Sequence, residues 1–582
     1  MKRWLTLILL TLTSSLAFSQ QAENESSKTL NTLLDSIWQY EVSQFPSLAR
    51  SEGKTPSSSL TDISMPAMQA RFDTFSEYLA QLKQIDMGSL SDAEQISYLM
   101  QEYRLRNYVD NFAFKEYRVP ITSEYGFHSS LGRIPENTRL NTAEDLTRYF
   151  DLLDAIPENM RLNMQYMKEG LSVGHSQPQV VLIGYEDTIT PYTVENIQEH
   201  PFYAPIAKAK EGLVSDEQRA NAEQKVKAVR DTYQAFYDFF VNDYKVNTKT
   251  DIAATNWPDG EAFYNNRMKH YTTTDLSAKE IHDIGLSEVA RIRAEMQTIV
   301  DDLEFDGDIN AFIQFLRTDE RFYAKSAKEL IMVASYISKQ MDARLPQLFY
   351  KMPRIPYGVA PVPDSIAPKY TTGRYISPRS DDQPGYYWVN TYALDKRPLY
   401  ALPALTLHEA VPGHHFQISL AAELEGLPNV RRKTYISAFG EGWGLYSEFL
   451  GLEVGIYEDP YDNFGRLSYE MWRACRLVVD TGMHVFGWSR DKAMNYMLEN
   501  TALSEHNVRT EIDRYISWPA QALSYKIGEI KIKELRKRAE DALGDKFDLR
   551  AFHDAVLAHG SVPLFILERN IDDFIASEQA KS

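Results

Sequence analysis

The sequence predicts a mainly α-helical protein with one small β element, built as two lobes around a central cleft. Segment after segment of the 582-residue chain has apolar side chains three and four residues apart, which is the spacing of an amphipathic helix. One stretch, 352–392, is instead rich in Pro, Tyr, Thr and Ser and has no helical period. A chain of this length can bury a large core without disulfides. We therefore expect one large helical body with a β segment in its second half.

The predicted helices begin soon after the N-terminus. A first helix is expected near residues 30–45, after a polar segment, 20–30, that we expect to be disordered. Four more helices are predicted from apolar periodicity, at 66–84, 91–117, 143–169 and 215–243. The expected lobes divide near residue 245, into an N-terminal helical lobe over 20–245 and a second, catalytic lobe over 246–582.

The β element is expected inside 352–392, where residues 385–391 have the strongest β-propensity. Helix returns with Pro403 at its first position, and this helix is expected to end near Gly426. Further helices are predicted at 532–543 and from the capping residue Asp548 to Gly560.

The N-terminus has the layout of a secretory signal peptide over residues 1–19. Two basic residues precede a short apolar stretch, 4–12, and small residues follow up to the expected cleavage site after Ser19. That stretch is too short to span a bilayer. The chain has one cysteine, Cys475, so it offers no thiol near residue 20 for a lipid. We expect a soluble periplasmic or secreted product, not a lipoprotein.

The formal net charge of the chain is −19 at pH 7. Phosphate backbones repel a protein with this excess of acid, which argues against nucleic acid as a partner. The sequence contains no feature that indicates an oligomeric state.

The sequence HEAVPGHH, residues 408–415, contains three of the twelve histidines of the chain. A catalytic zinc ion takes three protein ligands and keeps one position open, with a carboxylate nearby to accept a proton. His408 and Glu409 offer a ligand and a general base side by side. The second histidine of such a motif usually follows four residues later, but here that position is Pro412. Because six residues of regular helix span about 9 Å, His414 can reach the ion bound by His408 only if the helix is interrupted.

The dipeptide Pro412-Gly413 predicts that interruption. Proline has no N–H to donate to the carbonyl of His408, and a glycine directly after it favours a bulged or unwound helix. A bulge of two extra residues would move His414 to the place of the missing second histidine. His415 stays open as the alternative ligand, and otherwise it would orient a ligand or contact substrate. A plain helix end with surface histidines is the third interpretation.

The segment FGEGWGLYSE, residues 439–448, carries two candidates for the third ligand. Glu441 and Glu448 lie seven residues apart, which is two turns along one face of a helix. Three glycines in the same strip would let this helix approach the motif helix closely. One glutamate can bind the metal while the other orients a histidine, or both can be solvated surface groups.

These segments, together with residues 515–528 (YISWPAQALSYKIG) and 547–568, resemble the bacterial family called domain of unknown function 885. The resemblance is most specific between about 385 and 568. Members of the family are similar to the helical zinc oligopeptidases of the gluzincin type, such as the thimet oligopeptidase and angiotensin-converting enzyme groups.

This resemblance implies a metallopeptidase-like fold with its β element beside the zinc helix and an oligopeptide as substrate. It also implies one Zn²⁺ per chain, bound by His408, His414 and Glu441, with Glu409 as the general base. One departure from the family pattern is Ala520, where a glycine is expected.

Peptide hydrolysis also needs a hydrogen-bond donor for the developing oxyanion. Tyr525 is the first candidate and Tyr515 the second, although either ring can equally well be packed in the core. The strand at 386–390 is expected at the rim of the cleft, where a free edge can pair with an extended peptide. Three basic residues are candidates to hold a substrate carboxylate, which would favour exopeptidase or short-peptide specificity: Arg509, Arg514 and Lys526.

The sequence therefore favours an exported zinc-dependent peptidase, and two other classes stay open. A non-catalytic binding protein on a metallopeptidase scaffold is suggested by the lengthened motif. A carbohydrate-active enzyme is suggested by the 35 Tyr and 8 Trp, whose rings can stack on sugars. No pair of carboxylates stands out as the acid and nucleophile that such an enzyme needs.

Overall fold

The computed structural model describes residues 24–364, 366–378 and 383–581. The predicted signal peptide, 1–19, lies outside these residues. The described part of the chain is mainly helical and contains one three-stranded sheet, in agreement with the predicted fold class. None of the described helices is both long and apolar enough to cross a lipid bilayer.

Helices make up almost all of the regular structure before the sheet. Their bounds are α1 Glu25–Gln44, α2 Pro46–Ser51, α3 Met65–Leu82, α4 Asp92–Ala113, α5 Phe127–Gly132, α6 Ile134–Asn137, α7 Ala143–Ser172, α8 Ala204–Ala207, α9 Asp216–Phe239, α10 Lys245–Asn247, α11 Gly260–Thr272, α12 Ala278–Asp302, α13 Ile309–Thr318 and α14 Ala327–Asp342.

The three strands follow, and helices then continue to the C-terminus. The strands are β1 Tyr357–Pro361, β2 Gly373–Ile376 and β3 Gly385–Val389. The later helices are α15 Leu402–Glu409, α16 His414–Ala422, α17 Asn429–Lys433, α18 Ser437–Glu453, α19 Pro460–His484, α20 Arg490–Asn500, α21 Glu505–Ser517, α22 Ser524–Leu543, α23 Leu549–Leu557 and α24 Leu564–Ala580.

The helices predicted from periodicity are confirmed within a few residues as α1, α3, α4, α7 and α9. Asp548 caps α23, as predicted, by accepting the N–H groups of Arg550 and Ala551. The expected disorder over 20–30 is wrong from Glu25 onward, because α1 begins there with Asn24 as its side-chain cap. The helix predicted at 532–543 starts a full eight residues earlier, at Ser524.

The sheet has the order β1-β3-β2, with β1 parallel and β2 antiparallel to β3. The prediction that the strand at 386–390 offers a free edge is therefore wrong, since β3 is paired on both sides. The free edges belong to β1 and β2. The edge of β2 faces the motif helix, because the N–H of Tyr375 donates to the carboxylate of Glu409 over 2.7 Å.

The motif helix α15 lies in the centre of the protein, and every one of its residues is buried. It packs against α14, α18 and α19, while α18 runs along α22 and α19 runs along α12. Buried apolar side chains from Leu30 to Ile575 form one continuous cluster through these helices. The division into lobes over 20–245 and 246–582 around a cleft stays a prediction.

Candidate metal centre

The motif helix is interrupted at the predicted place. Helix α15 ends at Glu409, and α16 begins at His414. The N–H of Gly413 donates to the carbonyl of Leu407 over 3.0 Å, a bond that the N–H of residue 411 would make in a regular helix. Two residues are thus looped out, and His414 takes the place four residues after His408. The predicted bulge of two residues is confirmed, and the two imidazole centroids are 4.8 Å apart.

The interruption is held by contacts that only these residue types allow. The carbonyl of Pro412 accepts a hydrogen bond from the indole N–H of Trp443, on α18, over 2.7 Å. A Cβ atom on Gly413 would lie 1.9 Å from the carbonyl oxygen of His408, so any other residue would push the two chain segments apart. The loop therefore depends on the absence of a side chain at Gly413 and on the hydrogen bond from Trp443 of α18.

Helix α18 brings Glu441 to the two histidines. Glu441 Oε2 lies 3.5 Å from His408 Nε2 and 3.4 Å from His414 Nε2. One ligand atom from each of the three residues lies within 4.8 Å of the others. The structure thus brings together the three residues that the sequence singles out as zinc ligands, and zinc binding itself stays a prediction.

The glycines of the strip make this approach possible, as predicted. A Cβ atom on Gly444 would lie 2.7 Å from Cε1 of His408, so the imidazole rests directly on the backbone of α18. A Cβ atom on Gly442 would lie 2.5 Å from Cα of Gly528 on the far side, in α22. Larger residues would separate α18 from one neighbour or the other.

Glu448 orients His408. Its Oε1 lies 2.8 Å from His408 Nδ1, which leaves Nε2 of the same ring facing Glu441. Both side chains are almost fully buried. A carboxylate that holds the far nitrogen of an imidazole is the usual support of a histidine metal ligand. The two glutamates of the strip therefore have different positions, one on each side of the ring.

The cluster holds strong opposing charges. Burial lowers the pKa of His408, but hydrogen bonds to Glu441 and Glu448 outweigh it and raise the pKa to about 9. Burial raises the pKa of Glu441, but the adjacent imidazoles of His414 and His408 hold it well below its usual range. The carboxylate of Glu441 thus stays charged, and it requires a cation in the centre, either a proton or a metal ion.

The donor set fits zinc. Zinc prefers imidazole nitrogen and carboxylate oxygen at about 2.0–2.2 Å, and a tetrahedron of that size places its ligand atoms about 3.3–3.5 Å apart. The two distances from Glu441 fall in that range. His414 lacks the support that a zinc-binding histidine usually has, since its Nδ1 is buried and has no hydrogen-bond partner in the described part of the chain.

Glu409, the predicted base, follows His408 directly and is 9% exposed. The N–H of Tyr375 on β2 holds its Oε2. His415, the alternative ligand, faces away from the centre: its Nδ1 lies 3.1 Å from the hydroxyl of Tyr375, and burial lowers its pKa to about 4. Of the two histidines that the sequence left open, His414 is the one that lies beside His408.

The two candidate oxyanion donors lie in different surroundings. Tyr515 is buried, and its hydroxyl donates to Glu511 over 2.6 Å and accepts bonds from Arg476 and Trp472. Tyr525 is half-buried, and its hydroxyl makes no hydrogen bond within the described part of the chain. Its ring centroid lies 4.3 Å from the guanidinium carbon of Arg476. Only the hydroxyl of Tyr525 is thus available to an external acceptor.

The three basic residues that are candidates to hold a substrate carboxylate also differ in their surroundings. Lys526 is wrong as a substrate contact, because its ammonium is buried among Glu288, Glu470 and Glu529. Arg509 is exposed on α21, where it pairs with Glu505 of the same helix. Arg514 is mostly buried beside Tyr515 and Tyr525.

Sequence reasoning missed Tyr435, which comes two residues before α18. Its hydroxyl donates to Glu441 Oε1 over 3.4 Å. Burial and the charge of Glu441 raise the pKa of this tyrosine well above its usual value, and Tyr525 and Glu409 add to the effect. The sequence feature that relates to this contact is Gly440, because a Cβ atom at that position would lie 2.3 Å from the hydroxyl of Tyr435.

A cavity of about 610 Å³ is present in the described part of the chain, and none of the candidate metal ligands lines it. Its wall includes Thr372, next to β2, and the rings of Tyr400, Tyr469 and Trp472. Burial raises the pKa of Tyr469 to about 12, with charge contributions from Arg473, Glu448, Arg397 and Glu409. Tyr469 is thus the lining residue that senses the charges around the candidate metal centre.

Comparison with known proteins identifies the family. The family model described as "Bacterial protein of unknown function (DUF885)" matches residues 46–571, and the chain belongs to this family. No curated protein matches the chain.

Two solved structures are similar over nearly the whole chain, and both proteins are called a "putative lipoprotein". The protein from Colwellia psychrerythraea is 28% identical with a TM-score of 0.87, covering 95% of this chain and 100% of its own. The protein from Shewanella oneidensis, of unknown function, is 19% identical with a TM-score of 0.74, covering 94% of this chain and 99% of its own. The second similarity concerns the fold alone.

Proposed function

We propose that this protein is a zinc-dependent peptidase that hydrolyses oligopeptides, with His408, His414 and Glu441 as the zinc ligands. The observation that carries the proposal is the placement of Glu441 Oε2 at 3.4–3.5 Å from Nε2 of both histidines. Glu448 supports it, since a charged carboxylate on Nδ1 keeps Nε2 of His408 available as a ligand atom. The arrangement resembles that of gluzincin-type helical peptidases, and this relationship is part of the proposal.

Bound zinc would supply a Lewis acid that polarises a carbonyl group and lowers the pKa of water. Glu409 is the residue that accepts a proton from the attacking water and returns it to the nitrogen of the departing amine. The N–H of Tyr375 holds one oxygen of Glu409 in place for this transfer. Tyr525, whose hydroxyl has no partner in the described part of the chain, donates a hydrogen bond to the carbonyl oxygen as it gains charge.

The sheet supports a peptide as substrate. The edge of β2 that is not paired with β3 faces Glu409, because the N–H of Tyr375 points there. An extended peptide can add to such an edge through main-chain hydrogen bonds that do not depend on its sequence. This edge would place a peptide bond beside the general base.

Replacement of the base separates catalysis from metal binding. Glu409→Gln is expected to retain about one zinc per chain and to lose at least about 100-fold in hydrolysis of a pool of internally quenched peptides. Zinc is measured by mass spectrometry, and hydrolysis by fluorescence. Hydrolysis at the wild-type rate by a zinc-loaded Glu409→Gln protein would refute the mechanism.

A non-catalytic binding protein on the same scaffold is the second candidate. The unpaired Nδ1 of His414 favours it, because histidine ligands of catalytic zinc usually donate this group to a partner. Purified protein without zinc, whose melting temperature does not change on treatment with a chelator, would support this candidate over the peptidase.

We also propose that the chain is exported by cleavage of residues 1–19 and is not lipid-anchored. The similar proteins are named as lipoproteins, but lipid attachment requires a cysteine at the new N-terminus, and the single cysteine, Cys475, is fully buried in α19. Mass spectrometry of the protein from a periplasmic fraction is expected to show an unmodified N-terminus near residue 20. A chain that still carries residues 1–19, or a lipid, would contradict this.

A further inference from the structure

Four arginines lie close to Tyr525 or to the loop residue Glu124, in a chain whose net charge is −19. Arg473 and Arg476 lie on α19, with their guanidinium carbons 6.0 Å and 4.3 Å from the centroid of the Tyr525 ring. Arg514 on α21 interacts with the same ring, and Arg374 on β2 acts on Glu124 together with Arg514 and Arg476. We call these four residues the arginine cluster. Such a concentration of guanidinium groups in an acidic protein is a candidate site for an anionic ligand.

The arginine cluster adjoins the candidate metal centre. Arg473 Nη2 lies 3.7 Å from Oε1 of Glu448, the carboxylate that holds His408. On the other side, Arg374 immediately precedes Tyr375, whose N–H holds Glu409.

The carboxylates of the protein do not satisfy this cluster. Glu511 is shared by Arg476 at 3.0 Å and Arg514 at 3.3 Å. Nη1 of Arg476 and Nε of Arg473 are buried and have no hydrogen-bond partner in the described part of the chain. Both of these residues are at least nine-tenths buried, so each has one buried N–H group without an acceptor, which is costly inside a protein.

Arg374 is the accessible member of the cluster. It is exposed, and its recorded hydrogen bond, from Nη1 to the hydroxyl of Tyr125, is long at 3.5 Å. No carboxylate within residues 24–364, 366–378 and 383–581 lies within 4.0 Å of its guanidinium. Glu124, on the loop that also carries Tyr125, feels the charges of Arg514, Arg374 and Arg476 without an ion pair to any of them.

We propose that the arginine cluster binds a carboxylate group of the peptide substrate, with Arg374 making the direct contact and the buried arginines supplying the field behind it. A guanidinium presents its donors in a fork that matches a carboxylate. The carboxylate is the C-terminus of a short peptide or an acidic side chain near the cleaved bond. The inference rests on the proposed function, since it names the class of peptide that the same site accepts.

Binding is tested on the full-length Glu409→Gln protein loaded with zinc, so that no probe is cleaved. Three probes are titrated by calorimetry: N-acetyl-tetra-alanine, its C-terminal amide, and the amide of N-acetyl-Ala-Glu-Ala-Ala. We expect at least one of the two carboxylate-bearing probes to bind about tenfold or more tighter than the uncharged amide. The tighter probe identifies which of the two carboxylates is recognised.

The second set of titrations adds Arg374→Gln, with Arg161→Gln on the exposed surface of α7 as the matched control. Arg374→Gln is expected to reduce the preference for the carboxylate to about twofold or less, Arg374→Lys to retain part of it, and Arg161→Gln to leave it unchanged. Equal binding of all three probes at millimolar concentration, an absence of binding, or a preference that survives Arg374→Gln would overturn the inference.

The design separates this inference from the proposed function. A carboxylate preference that depends on Arg374, in a protein whose wild-type form cleaves no peptide, leaves the arginine cluster intact and refutes the peptidase. Cleavage by the wild type without any carboxylate preference retains the peptidase and refutes the arginine cluster as a substrate contact.

Discussion

Two groups of buried charged residues lie close together in the same helical body, and they differ in how their charges are paired. In the first, which we call the salt-bridge network, Lys526 Nζ lies 2.5 Å from Glu529 and 2.8 Å from Glu470. Arg466 and Lys533 bind the same two glutamates from other directions. In the second, the candidate metal centre, the carboxylates face imidazoles that are cationic only when they bind a proton or share a metal ion.

The difference distinguishes a structural cluster from a functional one. The salt-bridge network links α12, α19 and α22 and provides a fixed positive group for each buried carboxylate. The metal centre arranges its donor atoms around one point and leaves the balancing cation to come from outside. The salt-bridge network and the metal centre both contain buried glutamates. What distinguishes the two groups is the kind of partner that each buried carboxylate has.

The largest expected effect on stability comes from breaking the salt-bridge network. Lys526→Met removes the cation shared by Glu470 and Glu529, and it should lower the free energy of unfolding by about 3–5 kcal/mol. Urea denaturation measures this change. Zinc content per folded chain should stay the same, because Lys526 does not contact the centre.

Lys537→Met is the control on the same helix, since Lys537 is exposed and pairs only with Asp541. It should change the free energy of unfolding by about 0.5 kcal/mol or less. If Lys526→Met were as mild as this control, the salt-bridge network would not stabilise the fold in the way the comparison requires.

The next effect concerns the metal centre and is measured as a change in zinc affinity. Glu448→Gln keeps the shape of the side chain but removes the charge that holds Nδ1 of His408. Zinc affinity should fall by about 10- to 100-fold, as is typical when the support of a histidine ligand is lost. Competition with a zinc-binding dye measures it, and an unchanged affinity would show that Glu448 does not support a metal ligand.

The smallest effect comes from Asp480, a third buried acid. It accepts hydrogen bonds from the hydroxyl of Tyr264 at 2.6 Å and the N–H of Ala520 at 3.2 Å, with no cation within 4.0 Å in the described part of the chain. Burial raises its pKa to about 7, against the lowering effect of those hydrogen bonds. Because no cation pairs with Asp480, we expect this acid to be protonated in the folded protein at mildly acidic pH.

A raised pKa means that the folded state holds this proton more tightly than the unfolded state. Its contribution to stability is complete below the ordinary pKa of about 3.9 and is lost as the pH rises through about 7. Wild type should therefore lose about 1–2 kcal/mol relative to Asp480→Asn between about pH 6 and pH 8. Urea denaturation at several pH values measures the difference, and a difference that does not change with pH would contradict the raised pKa.

Local patterns predicted much of this molecule. Apolar periodicity located α3, α4, α7 and α9, because the apolar face of an amphipathic helix appears in its own sequence as a spacing of three and four residues. The break before His414 was also predictable, since the missing N–H of Pro412 and the small size of Gly413 act on the adjacent turn. Glycine spacing in α18 indicated close helix packing for the same reason.

Features that depend on distant parts of the chain were not predictable. The position of β3 in the middle of the sheet depends on β1 and β2, and its sequence alone does not reveal that both edges are paired. Lys526 is enclosed by carboxylates from α12 and α19, which no pattern in its own segment indicates. Tyr435 reaches Glu441 from a loop, where no periodicity marks the direction of a side chain.

The central claim is that the interrupted helix returns His414, and not His415, to the metal. Zinc per chain, measured by mass spectrometry after dialysis, tests it on wild type, His414→Ala and His415→Ala. We predict about one zinc in wild type and in His415→Ala, and close to none in His414→Ala. A His414→Ala protein that retains a full equivalent of zinc, or a wild type that binds none, would contradict the account.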